Sequence, residues 1–232
     1  FPGSFVLSMA YSEALMLTIV ALCFIALRDK HWIWAGVLAA MATATRPNGV
    51  ALVAACAVAS LIAIRNERDW RSLLAPALSP IGFIGFMLFL RNHTGEDWAW
   101  FRVQREAWQE GTSFGATAVQ RTFDFFVHPA SSPTSVLTAT SVGAMLIGLY
   151  MARKYKMNLI YWSYTAVILG LMLIPATVTA RPRFLFTAFP LFFPVARALR
   201  DDDDKWWPLV LMVMIGGLVT VMGIYGVRGA IP

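Results

Sequence analysis

Charge is what this chain has least of. Charged side chains make up 14% of its 232 residues, where a soluble domain carries about 25%, and that deficit excludes an ordinary water-soluble fold. Acidic residues are the scarcer kind, 13 against 19 Lys and Arg. The resulting +6 does not point to nucleic acid: the basic residues stand singly between apolar runs, as membrane topology requires. Cysteine is nearly absent. Cys23 and Cys56 both fall within apolar stretches, where they read as small packing residues rather than a disulfide or a metal pair. His31, His93 and His128 share no metal-ligand spacing. There is no Gly-rich phosphate loop, no nucleophile elbow and no His-Glu-x-x-His. No metal and no cofactor are expected. Phe1-Pro2-Gly3-Ser4 has no basic n-region, so no signal peptide is expected there, and further sequence is expected upstream.

What is present is apolar. Hydrophobic residues are 58% of the chain and mean hydropathy is +0.63. The expectation is an all-α, polytopic transmembrane helical bundle of about eight membrane segments, a single domain over residues 1–232. Its centre is Trp32–Ile64, a run with no acidic residue and no lysine. That run is too long for one membrane helix of about 20 residues and too short for two with a turn. Pro47 disfavours helical geometry at Arg46, and Gly49 tolerates left-handed backbone. Two short helices are therefore predicted, Trp32–Ala44 and Val50–Ile64, meeting at the polar tip Thr45-Arg46-Pro47-Asn48-Gly49. Arg46 is the only charge in the run, and a lone Arg at mid-membrane costs ~2.5–3.5 kcal/mol. It either lies among headgroups or lines a cavity and contacts an anionic substrate.

In chain order, a first helix is expected over Phe5–Leu27. Ser4, Ser8 and Ser12 recur at every fourth position, with Tyr11 beside them, a stripe suited to facing other helices. Glu13 is either a packing carboxyl or, as an intramembrane acid, a functional one. After the broken pair and a charged loop, Leu73–Leu90 spans, kinked by Pro76 and Pro80. Arg91–Pro133 is the one long polar loop. Within it Asp97–Glu110 is amphipathic: Trp100, Phe101, Val103, Ala107 and Trp108 share one face, and Arg102, Arg105, Glu106, Gln109 and Glu110 the other. It is either a surface-lying helix or a lid over a lipid-linked substrate. Thr134–Ala152 and Met157–Pro175 span next, then a proline-punctuated run to Leu199, and last Leu209–Val227 behind Trp206 and Trp207.

Alternating the sides puts eleven basic residues, all the lysines among them, opposite eight that include Arg46, Arg91, Arg121, Arg181 and Arg183. The lysine-rich side is expected to be cytoplasmic. Tyr11, Glu13, Arg46, Asn48, the Glu96–Glu110 region, Arg181 and Arg183 then converge on the extracytoplasmic face. That convergence predicts a site there.

Three segments carry a resemblance. Phe1-Pro2-Gly3-Ser4-Phe5 through Tyr11-Ser12-Glu13 resembles the "P-x-S-x-F … Y-S-E-S/A-L" segment of the PIG-V family, the second mannosyltransferase of GPI-anchor assembly and its bacterial relatives. Thr45-Arg46-Pro47-Asn48-Gly49 resembles that family's "T-x-R-S/P-N-G". Arg181-Pro182-Arg183-Phe184 with Phe189-Pro190 resembles a late "R-x-R-F/Y … F-P" segment. The resemblance implies a GT-C-like membrane glycosyltransferase, the chain being its C-terminal portion. It implies transfer of mannose or another hexose from a polyprenyl-phosphate donor to an extracytoplasmic lipid, glycan or protein acceptor. The site would lie on the outer face of a bacterial plasma membrane, or within the ER membrane in a eukaryote. The family's essential aspartate lies on a loop that this sequence does not contain.

The chemistry such a donor needs is a phosphate clamp, and arginine supplies one by bidentate charge-assisted bonds. Arg46, Arg181 and Arg183 are the candidates, with Tyr11, Ser12 and Asn48 as uncharged donors. Glu13 is the candidate carboxylate for deprotonating an acceptor hydroxyl. Glu96, Asp97, Trp100, Arg102, Arg105 and Trp108 are expected to meet the acceptor or lipid. The acidic run Asp201–Asp204 falls on the cytoplasmic side and is not read as a metal site. The expected partners are the lipid-linked donor and membrane lipids. The competing reading is a secondary transporter of an anionic or lipid-linked substrate, because broken helices and a midplane charge are transporter features too; a non-catalytic scaffold subunit is a third.

Overall fold

The computed structural model describes residues 1–8, 11–107, 110–129, 132–177, 179–201 and 205–227. Trp108, Gln109, Asp202–Asp204 and Arg228, on which expectations fall, lie outside the described residues. Among the described residues the fold is all-helical, its one β feature an isolated antiparallel bridge between Thr112 and Pro175. Four helices are long and apolar enough to cross a membrane: Pro47–Glu67, Trp70–Thr94, Pro133–Lys154 and Trp207–Gly226, with a fifth if Pro2–Ser8 and Glu13–Arg28 form one bent span. The class, an integral membrane protein, follows from these. The other apolar stretches are shorter: Trp32–Thr45 and Leu159–Leu173 fall below that length, and the run after Arg183 is cut into short helices at its prolines.

The chain divides into two compact units. One comprises Ser12–Glu110 with Asn158–Val167. It begins with α1 (Glu13–Arg28), α2 (Trp32–Thr45) and α3 (Ala51–Glu67), then α4 (Leu74–Leu78), α5 (Ile81–Thr94) and α6 (Ala99–Glu106). α2 is the hub, packed on α1, α4 and α5. Its buried face is Ala35, Gly36, Ala39, Ala42 and Thr43, small residues that let backbones approach closely, as helix contacts in membranes favour. Gly82 shows how closely: a Cβ there would collide with the Ala40 carbonyl. Cys23 and Cys56 are free and buried in this core, and the Cys23 thiol donates to the Ala35 carbonyl at 3.3 Å.

The other unit comprises Phe1–Tyr11, Gly111–Met157 and Ile168–Pro232. It holds α7 (Ala116–Val127), α8 (Pro133–Lys154), the second half of α9 (Leu159–Leu173), α10 (Pro182–Thr187), α11 (Phe192–Asp201) and α12 (Trp207–Gly226). The Ser132 hydroxyl caps α8 by accepting from the Thr134 N–H at 3.2 Å, and Pro133 occupies its first turn, a standard helix start. Phe5, Val6, Leu137 and Val221 form its core, with Phe186, Leu218, Ile224 and Tyr225 packed around them. α12 is apolar all round yet mostly exposed, Met212 at 70% and Val219 at 64%, as suits a helix facing lipid.

The helix expected over Phe5–Leu27 is not continuous. Pro2–Ser8 is a 3-10 helix, and α1 starts at Glu13. Ser4 and Ser8 donate from their hydroxyls to the carbonyls three residues back, Phe1 and Phe5, each at 2.7 Å. Such back-bonding satisfies serine within its own turn and fits the tighter helix. Ser4 and Ser8 thus bond within their own turns, while Ser12 accepts from Arg46 at 3.2 Å. The amphipathic helix is also shorter than Asp97–Glu110, running Ala99–Glu106.

Candidate functional site

Two of the predicted motifs meet in the first unit. The Arg46–Pro47 step holds Arg46 extended, at φ −154° and ψ 150°, between α2 and the 3-10 turn Pro47–Val50, because a residue before proline is pushed out of helical geometry. Gly49 closes that turn against α2, where a Cβ would strike the Ala42 carbonyl. The turn aims the Arg46 side chain at the start of α1. Its Nη1 lies 2.6 Å from Glu13 Oε2 and donates to Ser12 Oγ at 3.2 Å. The Glu13 side chain is 2% exposed, and Arg46 20%. Glu13 Oε2 accepts no aligned hydrogen bond, so charge rather than directional bonding holds the pair. Glu13 also opens α1, where a helix N-terminus favours an anion. Asn48 is half-buried in the same turn.

In the second unit the Arg181–Pro182 step repeats the device. Arg181 is extended, φ −131° and ψ 149°, and Pro182 begins α10. Arg181 is 6% exposed. Its Nε and Nη1 are buried without a hydrogen-bond partner, and so is Nη1 of Arg121 on α7. No acidic side chain among the described residues forms an ion pair with either. Burial first, and then the like charges of Arg121 and Arg183, lower the Arg181 pKa to about 10. The Arg183 guanidinium lies over two rings, 4.7 Å from the Phe184 centroid and 5.9 Å from that of Tyr11, attractive cation–π contacts.

The backbone before α7 fixes Arg121. Ser113 and Gly115 donate their N–H groups to the Ile174 and Leu173 carbonyls, each at 2.8 Å, and the Ala176 N–H donates to Gly111 at 2.9 Å. Gly115 turns the chain at φ +90°, a conformation glycine adopts without strain. α7 then leaves from the end of α9. Nothing in the predicted site included Arg121; the sequence signal was the helical spacing of Val119, Phe123, Phe126 and Val127 around it. Those residues are exposed on α7, at 72%, 67%, 74% and 50%.

The same unit holds a cavity of about 270 Å³, mostly apolar, lined by Phe1, Val136, Ala144, Pro182, Val213 and Val221 among others, with Thr140, Ser141 and Thr220 as its polar members. Pro182 belongs both to its wall and to the Arg181–Arg183 segment.

The expected lipid-loop residues form a different group, in the first unit. Arg102 Nε pairs with Glu96 at 2.6 Å and its Nη1 with Glu106 at 3.0 Å, while Arg91 pairs with Asp97 at 2.8 Å. All are exposed. Trp100 packs edge-on to Phe101 at 4.8 Å, and Arg105 is exposed. The structure therefore brings together Ser12, Glu13 and Arg46, and separately Tyr11, Arg181 and Arg183. The chain matches no family model, no curated protein and no solved structure.

Proposed function

We infer that this protein is a membrane glycosyltransferase that moves a hexose, mannose by its resemblance, from a polyprenyl-phosphate donor to an extracytoplasmic acceptor. The observation that carries the reading is the buried, unpartnered guanidinium nitrogens of Arg181 and Arg121, with Pro182, next to Arg181 in sequence, in the wall of an apolar cavity. A buried cation with unpaired N–H groups is costly, and an anion that enters with its own apolar tail answers both features. Arg181, Arg121 and Arg183 receive the donor phosphate, and the cavity takes the first part of its chain.

In the reaction the bond from sugar C1 to the phosphate oxygen breaks and a bond from C1 to the acceptor oxygen forms. The electron pair of the broken bond stays on phosphate, and the acceptor proton goes to a carboxylate base. Arginines placed where charge develops lower that barrier. The reading extends to a GT-C-like bundle with its site on the outer face of the membrane.

The test is transfer of labelled mannose from polyprenyl-phosphate mannose by full-length protein in vesicles supplied with lipid and glycan acceptors. Labelled acceptor is the expected result. Donor carried across the bilayer with its sugar still attached would contradict the enzyme reading and favour a transporter.

A further inference from the structure

We propose that Arg121 is a third phosphate ligand and that the arginine site is matched to a lipid phosphate monoester, the leaving group, rather than to the sugar-bearing donor. The inference rests on the glycosyltransferase reading above. Arg121 and Arg181 each keep a buried guanidinium nitrogen without a hydrogen-bond partner, and neither has an ion-pair partner among the described residues. Two uncompensated positive charges call for two negative ones. A sugar-bearing phosphodiester brings one. A phosphate monoester carries −1.5 to −2 at neutral pH and three acceptor oxygens.

The second charge appears only as the sugar leaves. Contacts that strengthen along that path accelerate the chemical step, where equal binding of donor and leaving group would not. The three arginines come from separate places, Arg121 from α7 and Arg181 and Arg183 from the start of α10. Guanidinium N–H groups carried on two separate elements suit a compact tetrahedral anion. Burial and mutual repulsion lower the Arg181 pKa to about 10, which still leaves it charged at neutral pH, and a bound dianion relieves the repulsion. The cavity walled in part by Pro182 selects an anion with an apolar tail over free phosphate.

The test compares binding to full-length purified protein of farnesyl phosphate, its methyl diester, farnesol and inorganic phosphate. The monoester is expected to bind at least ~10-fold tighter than the diester, the effect of one charge-assisted hydrogen bond. Inorganic phosphate and farnesol should both bind more weakly than the monoester. Arg121→Gln should abolish the preference for the monoester, and Arg121→Lys should keep part of it. Equal affinity of wild-type protein for monoester and diester overturns the proposal, whatever the variants do. Inorganic phosphate binding as tightly as farnesyl phosphate overturns the lipid assignment. Because the readout is binding, a protein that fails to transfer sugar yet prefers the monoester contradicts the enzyme reading and leaves this site standing.

Discussion

Arg46 Nη1 sits 2.6 Å from Glu13 Oε2, with the Glu13 side chain 2% exposed. Two motifs far apart in sequence thus neutralise one another inside the first unit. The charge that looked unpaired within its apolar run has a counter-ion on α1. Removing either partner strands the other, and breaking a buried pair typically costs ~3–5 kcal/mol; the partial exposure of Arg46 puts the expectation at the low end. Glu13→Gln and Arg46→Met should each lower the unfolding temperature in detergent. The double variant should lose less than the sum, with a coupling of at least ~1 kcal/mol. Simple additivity would mean that the pair contributes nothing to stability.

Arg181 should behave in the opposite way. Its pKa falls from the usual guanidinium range to about 10 in the folded protein. The unfolded chain then binds the proton more tightly, so the folded state is penalised at all pH below about 10 and relieved only as pH rises above that value. The penalty is therefore complete at neutral pH, on the order of a few kcal/mol. Arg181→Gln should unfold at a higher temperature than wild type at pH 7.5 without ligand, the trade expected where function stores instability. A lower unfolding temperature would show that the charge has a stabilising partner.

Sidedness is open to cysteine labelling, because Cys23 and Cys56 are buried and give little background. Phe114 is 80% exposed just before α7, on the side expected to be extracytoplasmic from the distribution of basic residues. Asn66, exposed at the end of α3, falls on the opposite side. In intact cells Phe114→Cys should react with an impermeant thiol reagent, and Asn66→Cys should not. The reverse pattern would move both sites to the cytoplasm.

α7 presents Val119, Phe123 and Phe126 to the outside, an apolar stripe on an amphipathic helix of the kind that lies in a membrane interface. A fluorophore on Phe126→Cys in vesicles should be quenched strongly by nitroxide lipids. One on Asp124→Cys, on the helix's polar side, should be quenched weakly. Equal quenching would mean that α7 does not rest on the bilayer.

Much of this architecture is legible in the residues themselves. Pro47 and Gly49 specify a break between α2 and α3, and the boundaries follow within a few residues because local backbone chemistry decides them. The start of α1 is not legible in the same way, because a 3-10 helix and an α-helix share the same apolar composition. The pairing of Arg46 with Glu13 is not displayed by sequence, since it depends on how α1 packs against α2. Arg121 went unassigned for the same reason. The bonds of Ser113, Gly115 and Ala176 to their partners tie the start of α7 to the end of α9, and such contacts are not displayed by local sequence.

The central claim is that buried arginines stabilise the departing lipid phosphate, and Arg181 tests it most directly. Arg181→Lys keeps the charge and loses the planar fork. In vesicles, with saturating polyprenyl-phosphate mannose and protein of normal monodispersity, its turnover should fall at least ~10-fold below wild type, the effect of ~1.4 kcal/mol in transition-state stabilisation. Near wild-type turnover would contradict the account.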